Sequence, residues 1–271
     1  MDRRPIGVFD SGLGGLTALR KLMAFLPHED IIYLGDTGRL PYGSRSRGTI
    51  IKYARQDIAF LQKFDIKAVV VACGTVSTNA LDEISGDYAV PVFGVVEAAV
   101  KKAAEVTKNK KIGLVGTAAS IKSGTYDRYI RRFSPEAKVY GRACPLFVPL
   151  IENGRTEPGD IVIETVAEEY LTPLREKGID TLILGCTHYP LLHRIISRTM
   201  GDGVTLISPG EETAKAVSKY LDENALLSDY PGAGRHRFFV TDSTEDFAHM
   251  ASVFLESSVF GEVEQVSLDA F

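Results

Sequence analysis

No stretch of the chain stays apolar for the roughly 18–20 residues that a helix needs to cross a bilayer, so a membrane-spanning role is not expected. A long basic run is missing too. With a formal net charge of -4 and a sequence pI of about 5.8, the electrostatic footprint of a nucleic-acid binder is absent. The first residues, MDRRPIGVFDSG, hold no apolar signal core and run straight into a strand-like segment, so a cleaved secretion signal is not expected. Cysteine is scarce: Cys73, Cys144 and Cys186 are an odd number, where a stapled secreted scaffold would carry an even and denser set. Free thiols in a reducing cytoplasm fit better. What remains is ordinary globular material. The 271 residues are 45% hydrophobic and 24% charged, enough for one large domain or two small ones.

Short apolar runs alternate with longer segments of helical period. Ile6–Phe9, Ile31–Leu34, Ala68–Ala72, Val92–Val95, Ile112–Val115, Thr181–Leu184 and Val204–Ile207 read as strands. Leu16, Leu19, Leu22 and Leu26 recur at helical spacing up to Pro27, and Ile50, Ala54, Ile58 and Leu61 mark a second helix after a turn-rich loop from Gly35 to Ser46. Ser243 reads as the N-cap of a helix holding Phe247, Met250 and Phe254, and Glu262–Leu268 as a last, edge-like strand. Strands alternating with helices in this way predict βαβ units and a parallel sheet, an α/β fold.

The chain also echoes itself. IGVFDSG (6–12) resembles IGLVGTA (112–118), each a strand opening into a small polar loop. VVVACGT (69–75) resembles LILGCTH (182–188), each an apolar strand ending in Cys with Thr close behind. Two matches in the same order predict an approximate duplication: two pseudo-symmetric parallel-sheet α/β domains facing each other across a cleft.

Ligands of open parallel sheets bind beyond the carboxyl ends of the strands, which is where Cys73 and Cys186 fall. Both are read as lying just before a helix, a setting that favours thiolate. Two facing thiols suit racemisation beside a carboxylate: one removes the α-proton, the other returns a proton to the opposite face. Asp10-Ser11-Gly12, Pro41-Tyr42-Gly43-Ser44, Gly74-Thr75, Thr117 and Thr187 are candidate donors for the developing negative charge. Cys144, in RACPLF, reads as packing. Other readings stay open on the residues alone. Asp10 is also good turn chemistry, and Tyr42 also fits a loop anchor. His188 with Cys186 forms too small a set for zinc. A one-thiol Cys-His enzyme and a non-catalytic binding module are the alternatives of different class, and G-L-G-G lacks the dinucleotide fingerprint.

The stretches FDSGLGG (9–15), GDTGRLPYGSRS (35–46), VACGTVS (71–77), GVVEAA (94–99), PLFVPLIENG (145–154) and LGCTHYPLL (184–192) together resemble the glutamate racemases of the Asp/Glu racemase superfamily. The resemblance covers most of the chain, in order. It implies two domains, residues 1–97 plus 208–271 carrying Cys73 and residues 98–207 carrying Cys186. It implies reversible L- to D-glutamate conversion without pyridoxal phosphate or metal, in the bacterial cytoplasm, by a homodimer that supplies D-glutamate for peptidoglycan. A related racemase acting on aspartate or a hydantoin is the nearest competitor.

Carried over by residue, the resemblance makes Cys73 the acid/base for the D-enantiomer and Cys186 for the L-enantiomer, with Asp10, His188 and Glu152 as auxiliary catalytic groups. Substrate contacts are implied at Asp10, Ser11, Pro41, Tyr42, Gly43, Ser44, Gly74, Thr75, Thr117, Ser120, Thr187 and His188. Two positions depart from the pattern. Gly74 stands where the family usually has Asn, and Ala98 where it commonly has Pro. Restoring the amide, Gly74→Asn, is therefore expected to tighten substrate binding.

Overall fold

The computed structural model describes residues 2–255 and 263–271. Among the described residues ten strands are seen: β1 (Ile6–Asp10), β2 (Ile31–Gly35), β3 (Ala68–Val71), β4 (Val92–Gly94), β5 (Lys111–Gly116), β6 (Lys138–Ala143), β7 (Thr181–Leu184), β8 (Thr205–Ile207), β9 (His236–Val240) and β10 (Val263–Gln265). They form two sheets, ordered β10-β9-β2-β1-β3-β4 and β6-β5-β7-β8, with every pairing parallel.

The predicted duplication is visible in this topology. β2-β1-β3-β4 and β6-β5-β7-β8 are the same strand order, taken once from each half of the chain. β1, β2, β3 and β7 are buried along their whole length, which is why they read as continuous apolar runs rather than alternating ones. Two strands were not expected. β6 (KVYGRA) is a half-exposed edge whose charged and small residues hide it, and β9 (HRFFV) opens on a histidine and an arginine. β10 is the expected edge strand, shorter than the sequence suggested; Glu262 lies outside the described residues.

Helix Leu16–Phe25 follows the predicted leucine period, and it packs against helix Pro209–Glu223. Leu16, Leu19 and Leu22 are buried in one apolar cluster with Ile6 and Val8 of the first sheet and Leu182 and Leu184 of the second. Each such side chain contributes roughly 1.5–3 kcal/mol through the area it removes from water. Helix Val95–Val106 joins the sheets in sequence and packs against both Pro209–Glu223 and Thr125–Phe133. Ser46 caps helix Arg47–Leu61 by accepting from the Thr49 N–H, and Ser243 accepts from the Asp246 N–H at the start of helix Thr244–Leu255, as predicted. The carboxyl ends of β1, β3, β5 and β7 thus come together between two sheets that share a core.

Candidate active site

Between these strand ends lies a cavity of about 510 Å3. Cys73, two residues past the end of β3, and Cys186, two residues past the end of β7, the equivalent strand of the second half, both line it. Ser11, Pro41, Tyr42, Gly43, Ser44, Gly74, Thr75, Thr117, Thr187, His188 and Glu152 also line it. No lysine or arginine does so among the described residues, so acidic groups of a ligand would rely on hydroxyls, backbone N–H groups and His188.

Cys73 occupies the N-cap position of helix Gly74–Asn79 and points its thiol at Ser11 Oγ, 3.3 Å away. The expected drift toward thiolate is not found. Burial first, and the neighbouring Asp10 carboxyl second, push the Cys73 thiol up to about 12, against the lowering hydrogen bond with Ser11. Six residues of helix do not offset removal from water. Asp10 ends β1, immediately behind the cavity wall. Its Oδ2 accepts the Gly12 N–H at 3.1 Å, the turn chemistry anticipated, while Oδ1 is buried without a partner. Burial raises the Asp10 carboxyl, opposed by the charge of His188 and by the N–H groups of Gly15 and Gly12.

Cys186 does not precede a helix directly. A turn and the 3-10 segment Tyr189–Leu192 come first, and helix His193–Met200 only afterwards. Pro190 in that turn explains the difference, because a proline ring favours the opening of a helical turn over its interior. Charge support for this sulfur comes from a side chain instead. His188 Nδ1 lies 3.8 Å from Cys186 Sγ, and His188 Nε2 lies 2.9 Å from Glu152 Oε1. Burial disfavours the charged imidazole, but the bonds to Cys186 and Glu152 outweigh it and lift His188 to about 10. At neutral pH an imidazolium therefore stands beside Cys186 while Cys73 keeps its proton. The two thiols thus have different charged neighbours, Asp10 beside Cys73 and His188 beside Cys186.

Three further placements refine the sequence reading. Ser120 does not line the cavity: it is buried behind Thr117, bonding it at 3.0 Å, while Thr117 meets Thr75 across the sheets at 3.1 Å. Tyr42 proves a loop anchor through its hydroxyl, which bonds the buried carboxylates of Asp36 and Asp57. Arg39 closes that network on Asp36 at 2.6 Å and Asp57 at 2.9 Å. What Tyr42 can offer a ligand is backbone. Cys144, assigned only packing, is fully buried but belongs to the cavity wall, and burial pushes its thiol up to about 12.

Gly12, named with Asp10 and Ser11 as a candidate donor, lines the cavity, while sequence reasoning missed Leu40, Ala118, Pro145, Val148, Pro149, Gly185 and Tyr189, which complete the wall. The signal was present, since PLFVPLIENG and LGCTHYPLL hold five of these residues. Apolar and glycine positions carry no chemistry of their own, and only Glu152 stood out in the first stretch. The glycines matter through space. A Cβ on Gly74 would lie 2.6 Å from the Gly185 carbonyl oxygen, and one on Gly14 would lie 2.3 Å from His188 Nδ1. Bare backbone is what lets the two sheets' loops meet this closely.

Comparison with known proteins gives a consistent picture. The Asp/Glu/hydantoin racemase family signature matches residues 21–217. A glutamate racemase of Geobacter metallireducens is 45% identical over 270 residues, covering 100% of this chain and 99% of the relative. Among solved structures, a glutamate racemase isoform of Bacillus anthracis superposes with a TM-score of 0.94 at 38% identity, covering 99% of both chains. The glutamate racemase of Francisella tularensis, solved in complex with D-glutamate, superposes with a TM-score of 0.92 at 40% identity, covering 100% of both.

Proposed function

The chain belongs to the Asp/Glu/hydantoin racemase family, and from that membership we propose that it interconverts L- and D-glutamate by a two-thiol mechanism. The observation that carries this reading is the pairing of Cys73 and Cys186 just past the ends of equivalent strands of the repeated topology, both lining one cavity. With L-glutamate bound, Cys186 acts as thiolate and removes the α-proton, charge-supported by the His188–Glu152 pair. Cys73 then donates its proton to the opposite face of the same carbon. The product leaves with Cys73 as thiolate and Cys186 as thiol, the form that accepts D-glutamate and runs the sequence backward. Asp10 and Ser11 serve Cys73. Hydroxyls of Ser11, Thr75, Thr117 and Thr187, with loop N–H groups at 42–44 and 74, hold the substrate and the negative charge that develops on its carboxylate. Both proton transfers are assigned to side chains of this chain, each worth about 10²–10⁴-fold in rate.

The same reading divides the chain into residues 1–97 plus 208–271 and residues 98–207, a division supported by the membership of the two sheets. It places a homodimer in the bacterial cytoplasm, supplying D-glutamate to peptidoglycan synthesis.

The test is solvent exchange. Purified protein with either glutamate enantiomer in deuterated water is expected to give an equal mixture deuterated at the α-carbon, followed by NMR and a stereochemical assay. Deuterium should enter the product enantiomer before it enters the remaining substrate. Exchange with retention would point to one thiol, turnover of aspartate or a hydantoin alone would reassign the substrate, and no exchange at all would leave a binding protein.

A second expectation reverses the one drawn from sequence. Gly74→Asn should weaken glutamate handling, raising KM and lowering Tm, because its Cβ would meet the Gly185 carbonyl at 2.6 Å, well inside contact distance. Michaelis kinetics and a thermal melt decide it. A lower KM at unchanged Tm would restore the original expectation.

A further inference from the structure

Four tyrosines are among the largest fully buried side chains: Tyr33, Tyr42, Tyr126 and Tyr189. Three of them donate a hydrogen bond, Tyr33 to the Gly12 carbonyl at 3.1 Å, Tyr189 to the Cys144 carbonyl at 3.0 Å, and Tyr42 to the carboxylates of Asp36 and Asp57. Tyr126, on helix Thr125–Phe133, is 1% exposed and its hydroxyl has no partner. Buried hydroxyls are nearly always paired, so an unpaired one needs a reason.

Its position supplies one. A Cβ built on Gly185 would stand 3.4 Å from the Tyr126 oxygen, so the phenol sits against the backbone that carries Cys186. Tyr126, Tyr189, Cys144 and His188 each interact electrostatically with Cys186. His188 faces it through Nδ1, Tyr189 is engaged with the Cys144 carbonyl, and Cys144 leans on the Arg142 carbonyl at 3.6 Å. Burial, and then the charge of Cys186, hold the Tyr126 phenol in its neutral, donating form.

The internal repeat sharpens the contrast. The first half sets Asp10 and the Ser11 hydroxyl beside its sulfur; their counterparts in IGLVGTA are Gly116 and Thr117, and the Thr117 hydroxyl is engaged with Thr75 and Ser120. On the second side, Tyr126 holds a fully buried hydroxyl that has no acceptor.

We propose that Tyr126 is a positioning residue for Cys186, whose free O–H turns toward the sulfur when Cys186 has lost its proton and favours that thiolate. No proton is transferred: the phenol keeps its hydrogen throughout, and Cys186 exchanges protons only with the substrate and solvent. Catalytic hydrogen bonds are often unformed before the charge they serve has developed.

The proposal rests on the two-thiol reading, and Tyr126→Phe tests it through a readout that needs no substrate. The rate at which iodoacetamide alkylates Cys186 at neutral pH, mapped by peptide mass spectrometry, is expected to fall about tenfold, the worth of one hydrogen bond to a charged group. Alkylation of Cys73 and the Tm should hold, and kcat should fall with KM little changed. Unchanged Cys186 alkylation at unchanged Tm overturns the proposal. So does a chain that melts several degrees lower or fails to fold, since the hydroxyl would then have a structural acceptor. A wild-type protein that leaves glutamate untouched defeats the proposed function instead, with the alkylation comparison still readable.

Discussion

Cys73→Ser and Cys186→Ser are each expected to lower racemisation of both enantiomers by at least about a thousandfold, with Tm nearly unchanged. The size follows from losing a positioned acid/base, worth about 10²–10⁴-fold, at a step whose two halves both need a thiol. The hydroxyl that replaces sulfur is a far weaker acid in the same buried setting. The two variants should differ in what survives. Cys73→Ser leaves Cys186 with the imidazolium of His188 at 3.8 Å and the carboxylate of Glu152 behind it. It should still wash the α-proton out of L-glutamate slowly, with retention. Cys186→Ser leaves Cys73, pushed up to about 12 by burial and Asp10, and should retain less exchange with D-glutamate near neutral pH. Chiral chromatography for racemisation and NMR for exchange separate these outcomes. Full racemisation by either variant would end the two-thiol assignment.

Much of this arrangement was legible in the chain because burial leaves a residue pattern. β1, β2, β3 and β7 are covered on both faces and are written mostly in Ile, Val, Leu, Phe and Tyr, so strands and parallel pairing could be read together. The repeat was legible because each half carries a Cys two residues past the end of its third strand. β6 and β9 were not, since an edge strand or a charged strand start has no apolar signature to offer. Thiol placement could be read; thiol ionisation could not. The helix after Cys73 is visible in sequence, whereas the burial that outweighs it at the sulfur is a property of both sheets at once. Tyr126 was invisible for a related reason. In TYDRYIRRF it reads as one more apolar contact beside Ile130, and only coordinates show that its hydroxyl is unpaired and lies against Gly185.

Gly14→Ala tests the claim that empty space at the loop crossing is part of the catalytic apparatus. Gly14 lies in FDSGLGG, before helix Leu16–Phe25, and faces the second half of the chain. A methyl group there would come within 2.3 Å of His188 Nδ1, 2.4 Å of Thr187 Oγ1 and 2.6 Å of His188 Cε1. The neighbours have little room to yield. Thr17 Oγ1 is bonded to the Thr187 carbonyl at 2.6 Å, His188 is tied to Glu152 at 2.9 Å, and the Phe254 ring packs edge-on against the imidazole at 5.5 Å. The methyl must displace the imidazole from Cys186 or push the two halves apart. Overpacking of this kind costs about 1–3 kcal/mol of stability. Shifting a catalytic group by about 1 Å costs on the order of a hundredfold in rate. Gly14→Ala is therefore expected to lose about a hundredfold in kcat/KM while losing only a few degrees of Tm. Gly48→Ala provides the contrast, because a Cβ there meets nothing within 4 Å; it lies on helix Arg47–Leu61 and should leave turnover intact and stability unchanged or slightly raised. If Gly14→Ala turns over as the parent does, His188 is free to move without consequence, and the charge support assigned to it beside Cys186 is wrong.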